Sequence, residues 1–126
     1  MSIITKNAAG ANVTYTIFRK DSDVASYVGA NHSDVSKDII VVKSVSPKQT
    51  LSAYGNRRST VNYLVTVSTA NPDGTTTAKD LKLEVSASIP AGVSFATFKE
   101  ALQRQGNMLI DDAIAGDLFH LGKIDR

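Results

Sequence analysis

The chain has 126 residues, 42% of them hydrophobic and 21% charged, with a formal net charge of +2. That composition describes one globular domain able to bury a core, and it excludes a disordered tail or a fibrous repeat. Cysteine is absent, which excludes disulfide staples, thiolate catalysis and cysteine-bound zinc together.

No apolar run approaches the roughly 20 residues that a membrane-crossing helix needs. Residues 1–6 lack the charged start and apolar stretch of a signal peptide, so neither insertion nor secretion is expected. On that expectation Asn12-Val13-Thr14 and Asn31-His32-Ser33 match the glycosylation pattern by chance. The charge is unevenly spread. Lys37, Lys43, Lys48, Arg57 and Arg58 face only Asp38 within residues 37–58, whereas residues 100–126 hold five acids and three bases. The positive segment is the one to attract phosphates.

Taken in order, Ile3 and Ile4 can form the first arm of a hairpin that turns at Asn7-Ala8-Ala9-Gly10. Its second arm, residues 12–20, alternates Val13, Tyr15 and Ile17 with Thr14 and Thr16, and Phe18 continues the threonine row. Residues 21–38 are polar with scattered Val24, Tyr27, Val28 and Val35, enough for one short strand and loops. Residues 39–46 begin as the apolar run Ile39-Ile40-Val41-Val42 and then alternate, and Pro47 should end their pairing. Lys43 falls on the row of Val41 and Val45. Residues 49–56 read as a loop leading into the cations Arg57 and Arg58.

The dominant strand is residues 60–68. Val61, Tyr63, Val65 and Val67 occupy one face; Thr60, Asn62, Thr66 and Ser68 occupy the other, with Leu64 among them. Asn71, Pro72, Asp73 and Gly74 form a turn. The partner strand, residues 81–89, sets Leu83, Val85 and Ala87 against Lys82, Glu84, Ser86 and Ser88. Beyond Pro90 the period becomes helical. Ser94 is a cap for Phe95, Phe98 and Leu102, Gly106 a stop, and Leu109, Ile110, Ala113 and Ile114 a second helix up to Gly116. Strands first and helices last make the class α+β. Two such strands need a cover for one face only. The polar face stays open.

Catalytic patterns do not emerge. Asp111 and Asp112 would point about 100° apart on a helix and cannot share a proton; a solvated face suits them. His32 and His120 lack neighbouring ligands, and there is no nucleophile elbow or phosphate loop. No enzyme activity, metal, cofactor or small-molecule substrate is expected. Phe95, Phe98 and Leu102 have the width of one packed helix face. Arg57 and Arg58, beside a face of threonine, asparagine and serine, supply the donors that grip phosphates and base edges.

Ser44-x-Ser46, Lys48-Gln49, Ser52-Ala53 and Asn56-Arg57-Arg58 open a long alternating strand that ends at Asn71-Pro72. Then come Leu83-x-Val85-x-Ala87-x-Ile89-Pro90 and Asp112-Ala113-Ile114-Ala115. With these motifs, over residues 39–115, the chain resembles the coat proteins of small single-stranded RNA bacteriophages, the levivirus group. The resemblance implies a single coat-protein domain over 1–126: an N-terminal β-hairpin (1–20), a five-stranded antiparallel meander (21–90) and two C-terminal helices (94–121). It implies an interlocked homodimer with a ten-stranded sheet, packed through Phe95, Phe98, Leu102, Leu109, Ile110 and Ile114. Dimers would close an icosahedral T=3 shell through loops such as Asn71, Pro72, Asp73 and Gly74, in a virion assembled in the bacterial cytoplasm.

The implied partner is genomic single-stranded RNA, including a hairpin whose binding represses replicase translation. By position, its contacts would be Ser44, Ser46, Lys48, Arg57, Arg58, Thr60, Asn62, Thr66, Lys82 and Glu84. Well-known members have a stacking tyrosine where this chain has Lys82, and an asparagine at Glu84. A lysine holds phosphate without a stacking plane, and a glutamate repels phosphate. The alternative is a non-viral module that binds single-stranded nucleic acid or peptide with the same open sheet.

Overall fold

The computed structural model describes residues 2–122. Met1 and residues 123–126, with the tail charges Lys123, Asp125 and Arg126, lie outside the described residues. The chain divides into two compact units, Met1–Ala91 and Gly92–Arg126.

The first unit is a single antiparallel sheet of six strands in sequence order: β1 (Ser2–Lys6), β2 (Asn12–Lys20), β3 (Val24–Val28), β4 (Asp38–Val45), β5 (Asn56–Ala70) and β6 (Thr76–Pro90). The expected hairpin is present as β1 and β2. It is not followed by five strands, however: four follow, and β2 pairs directly with β3, so hairpin and meander are one surface. Side chains shape the turns. Asn7 Oδ1 accepts from the N–H groups of Ala9 and Ala11, both at 3.0 Å, and Gly10 takes the left-handed φ of 82° that closes the first hairpin. Between β5 and β6, the Asp73 carboxylate accepts from the Thr75 backbone N–H (3.1 Å) and hydroxyl (2.6 Å). The Thr75 bonds hold this carboxyl below its ordinary pKa.

β5 and β6 are longer than their alternation suggested. Each runs for fifteen residues, and Arg57 and Arg58 belong to β5 itself and not to a loop end. Pairing needs only backbone groups, so polar side chains do not stop the ladder. In 46–55, between β4 and β5, Thr50 N–H donates to the Ala53 carbonyl at 2.8 Å. Gly55 there has a φ of 80°, and a Cβ on it would strike the Lys48 carbonyl oxygen.

Tyr15, Tyr27 and Ile40 are the buried hydrophobic residues of the sheet, flanked by Ile3, Val13, Ala25, Val42 and Tyr63. Tyr15 and Tyr63 meet edge to face, with centroids 6.3 Å apart. The Tyr15 hydroxyl donates to Asp38 Oδ1 at 3.0 Å and lies 3.4 Å from the Tyr63 hydroxyl. Further along the same face the apolar row is uncovered. Val61, Leu81, Leu83 and Val85 are all exposed, Leu83 by 54%.

In the second unit, α1 spans Phe95–Leu109, and Ser94 Oγ caps it by accepting from Thr97 N–H at 3.3 Å. Gly106 does not stop this helix. It is absent from the positive-φ glycines, and a glycine that stays right-handed costs a helix only about 1 kcal/mol. The break falls at 110–112 instead, so Leu109 ends α1 and Ile110 is its C-cap. Asp111 has a use: its carboxylate accepts from Ala113 N–H at 2.9 Å, in the turn that leads into α2 (Ala113–His120). α2 continues through Gly116 and is wide, with Leu121 N–H donating to the Gly116 carbonyl five residues back at 3.0 Å. Of the expected packing residues, Phe95, Leu102 and Ile110 are exposed, whereas Phe98, Leu109 and Ile114 are half-buried.

Burial, then the hydrogen bonds to Tyr63 and Asp38, push the Tyr15 phenol well above its ordinary pKa. Unfolding frees that proton near pH 10, so the unfolded state binds fewer protons at higher pH. The Tyr15 contribution to stability should be level around neutral pH and up to about pH 10, and be lost as pH rises above it. Urea titrations across that range should show the fall, and Tyr15→Phe should reduce its slope.

Candidate nucleic-acid interface

Directly opposed residues in an antiparallel pair share a face, and successive residues alternate. The registers of β4 with β5 and of β5 with β6 are unbroken, so each side chain's face follows from its pairing. Val61 opposes Val42 and Val85, and Tyr63 opposes Ile40 and Leu83; this is the apolar face. Thr60 opposes Lys43 and Ser86, Asn62 opposes Val41 and Glu84, and Leu64 opposes Ile39 and Lys82; this is the open face.

The ten expected contacts do not all reach it. Arg58, Thr60, Asn62, Thr66, Lys82 and Glu84 share the open face. Ser44 and Arg57 lie on the other one, since Ser44 opposes Ser59 and Arg57 opposes Ile89. There they satisfy each other: Arg57 Nη1 donates to Ser44 Oγ at 3.3 Å, and Ser44 Oγ is 3.1 Å from Ser59 Oγ. Ser46 and Lys48 lie past the end of β4, both exposed. Within β4 the open face gains a cation that sequence reasoning left out. Lys43 is exposed, directly opposite Thr60. Its place on the Val41 and Val45 row was the available signal; that row belongs to the open face.

The face has graded chemistry. At one end Lys43 and Arg58 sit on neighbouring strands, with Arg58 opposite Val45 and Ser88. In the middle is a depression of about 400 Å³ lined by Ile39, Val41, Asn62, Leu64, Lys82 and Glu84. Its floor of half-buried aliphatic side chains and rim of amide, ammonium and carboxylate suit a flat ring with polar edges. At the far end Thr66 faces Asp80. The Thr66 hydroxyl donates to Asp80 Oδ1 at 3.0 Å and accepts from Lys37 N–H at 2.9 Å. Thr66 is therefore already engaged by the protein, and Asp80 adds negative charge beside it.

Comparisons with solved structures find this fold in proteins that form virus-like particles. The chain of the virus-like particle of Beihai levi-like virus 32 matches with a TM-score of 0.78 at 17% identity, over 90% of this chain and 88% of that one. That of bacteriophage AVE019 matches with a TM-score of 0.77 at 11% identity, over 99% and 97%. That of Wenzhou levi-like virus 4 matches with a TM-score of 0.77 at 20% identity, over 98% and 88%. No protein-family model matches the sequence, and no curated protein matches it. The expected fold class, an antiparallel sheet followed by two helices, is thus the one observed.

Thr66→Val removes the acceptor for Lys37 N–H and the donor to Asp80. Chemical denaturation should show a loss of about 1–3 kcal/mol, whereas the exposed Ser68→Ala, further along the same strand, should stay within about 0.5 kcal/mol of the parent.

Proposed function

We propose that this chain is a viral capsid structural protein that dimerises, assembles into an icosahedral T=3 shell and packages single-stranded genomic RNA against its open sheet face. The observation that carries the reading is the fold shared, over nearly the whole of both chains, with proteins of levi-like and bacteriophage particles. The sheet and helical units act together as one coat-protein domain. Two features support the dimer: an apolar sheet row exposed along β5 and β6, and helices whose Phe95, Leu102 and Ile110 are exposed. Interlocked partners that lay helices over each other's sheets would cover both by two-fold exchange. The turn of Asn71, Pro72, Asp73 and Gly74, with Gly74 at a φ of 87°, is the shell contact.

RNA binding uses Lys43, Arg58 and Lys82 for phosphates, with Thr60 and Asn62 as neutral partners and Ser46 and Lys48 at the border. Glu84, on the rim of the central depression, accepts from base amino groups and disfavours phosphate there. Binding of a replicase-start hairpin on this face, and repression of replicase translation by it, extends the same contacts. Assembly takes place in the bacterial host cytoplasm, and the coat functions in the virion.

Protein purified from a bacterial expression host should appear in negative-stain electron microscopy as uniform hollow spheres with a nucleic-acid absorbance spectrum. Dimers free of RNA would overturn the reading in favour of a non-viral interaction module. For RNA bound to dissociated dimers, log affinity should fall linearly with log salt. Arg58→Ala, Lys43→Ala or Lys82→Ala should each flatten that slope by about one. Arg57→Ala, on the other face, should leave it unchanged.

A further inference from the structure

We propose that Phe18 and Arg19 on β2 form a stacking site for an unpaired nucleobase of single-stranded RNA, outside the β4–β6 strip described above. The inference rests on the reading of the open face as an RNA surface. A β-bulge creates it. Ile17 opposes Tyr27 and Arg19 opposes Ser26, so Phe18 and Arg19 together face a single residue of β3. In such a bulge both side chains lie on the side of the residue they oppose. Ser26 opposes Val41, which opposes Asn62, which opposes Glu84, so this is the open face. An unbulged strand would have sent Arg19 to the apolar side.

The surroundings of Phe18 select the occupant. The ring is 58% exposed, so it takes little part in the core. The Arg19 guanidinium carbon lies 5.7 Å from its centroid, and the His32 ring is 6.1 Å away, tilted by 54°. His32 is itself fixed, its Nδ1 accepting from Asp38 N–H at 3.0 Å. Among the described strand residues, Phe18 is the one aromatic on the open face; Tyr15, Tyr27 and Tyr63 belong to the other. Its row neighbours Thr14 and Thr16 and its cross-strand neighbour Ser26 are polar, and the aliphatic Val28, Ile39 and Val41 of the same face lie on β3 and β4. A nucleobase needs a single π-face, and the phosphate beside it needs a cation. Phe18 offers the first and Arg19 the second, its guanidinium free to leave the ring for a phosphate.

The test uses the full-length protein stripped of nucleic acid, a short unstructured RNA and a ribose-phosphate oligomer of equal length without bases. Phe18→Ala should weaken RNA binding by about 5- to 150-fold and leave binding of the baseless oligomer unchanged, and Phe18→Tyr should restore RNA binding. The chain contains no tryptophan, so Phe18→Trp introduces a single indole. RNA should quench its fluorescence and the baseless oligomer should not. Should Phe18→Ala fail to fold, this quenching decides alone. Parent protein that binds RNA, with full affinity in Phe18→Ala or unquenched emission in Phe18→Trp, overturns the stacking site and leaves the RNA surface standing. Parent protein that binds no RNA overturns both.

Discussion

Everything this sheet presents to its surroundings depends on the unbroken pairing of β5 with its two neighbours. β5 opposes β6 residue for residue from Asn56↔Pro90 to Ala70↔Thr76, and β4 follows it from Val45↔Arg58 to Asp38↔Val65. A slip of one residue anywhere in that ladder would turn every side chain beyond it to the opposite face. Arg57 and Arg58 show how much that decides. They are adjacent in sequence and equal in charge, yet one is tied to Ser44 beside the apolar row and the other stands over the open surface. Charge alone does not define an interface; charge with parity does.

The same pairing divides the sheet into faces with unlike requirements. On the apolar side only Tyr15, Tyr27 and Ile40 are buried hydrophobics, while the apolar row continues along β5 and β6 without cover. At about 25 cal/mol per Å² of apolar surface removed from water, covering that row would stabilise the sheet. The open side has the reverse character. Its half-buried Ile39, Val41 and Leu64 form the floor of one depression, and the rim consists of groups that bind water or ligands equally well. In the proposed coat dimer the first face would be spent on assembly and the second kept for RNA. The division follows from period two and from nothing more elaborate.

Much of this was legible in the residues. The alternation of Val61, Tyr63, Val65 and Val67 marks β5 and its inward face, and Ser94 marks the start of α1. What was not legible has a physical reason in each case. Alternating hydrophobicity reports side-chain burial, whereas a ladder is held by backbone bonds, so β5 could begin at Asn56 and include both arginines without any apolar signal. Gly106 has the composition of a helix stop, but a stop needs a left-handed glycine, and conformation is not composition. Lys43 looked misplaced on a valine row until the register put that row on the open face. The bulge after Ile17 is harder still. It leaves no mark in hydrophobicity or charge, and it alone brings Arg19 beside Phe18 on the open side.

The charges on the open face are ordered along the strands, and this sets a direction for any polyanion lying there. Arg58 and Thr66 are eight residues apart on β5, roughly 27 Å at the strand rise. Lys43 stands at the Arg58 end, close in sequence to the segment that carries Ser46 and Lys48. Asp80 stands at the Thr66 end and is hydrogen-bonded in place. Between them Lys82 and Glu84 lie on the same face of β6, two residues apart, opposite Leu64 and Asn62. Phosphates gain most at the first end, where Lys43 and Arg58 stand on neighbouring strands. At the last end the exposed Lys37, whose carbonyl accepts from Thr66 N–H at 2.9 Å, stands with Asp80, and in the middle Lys82 and Glu84 nearly cancel. A polyanion lying on this face would therefore be held most firmly at the Lys43 and Arg58 end.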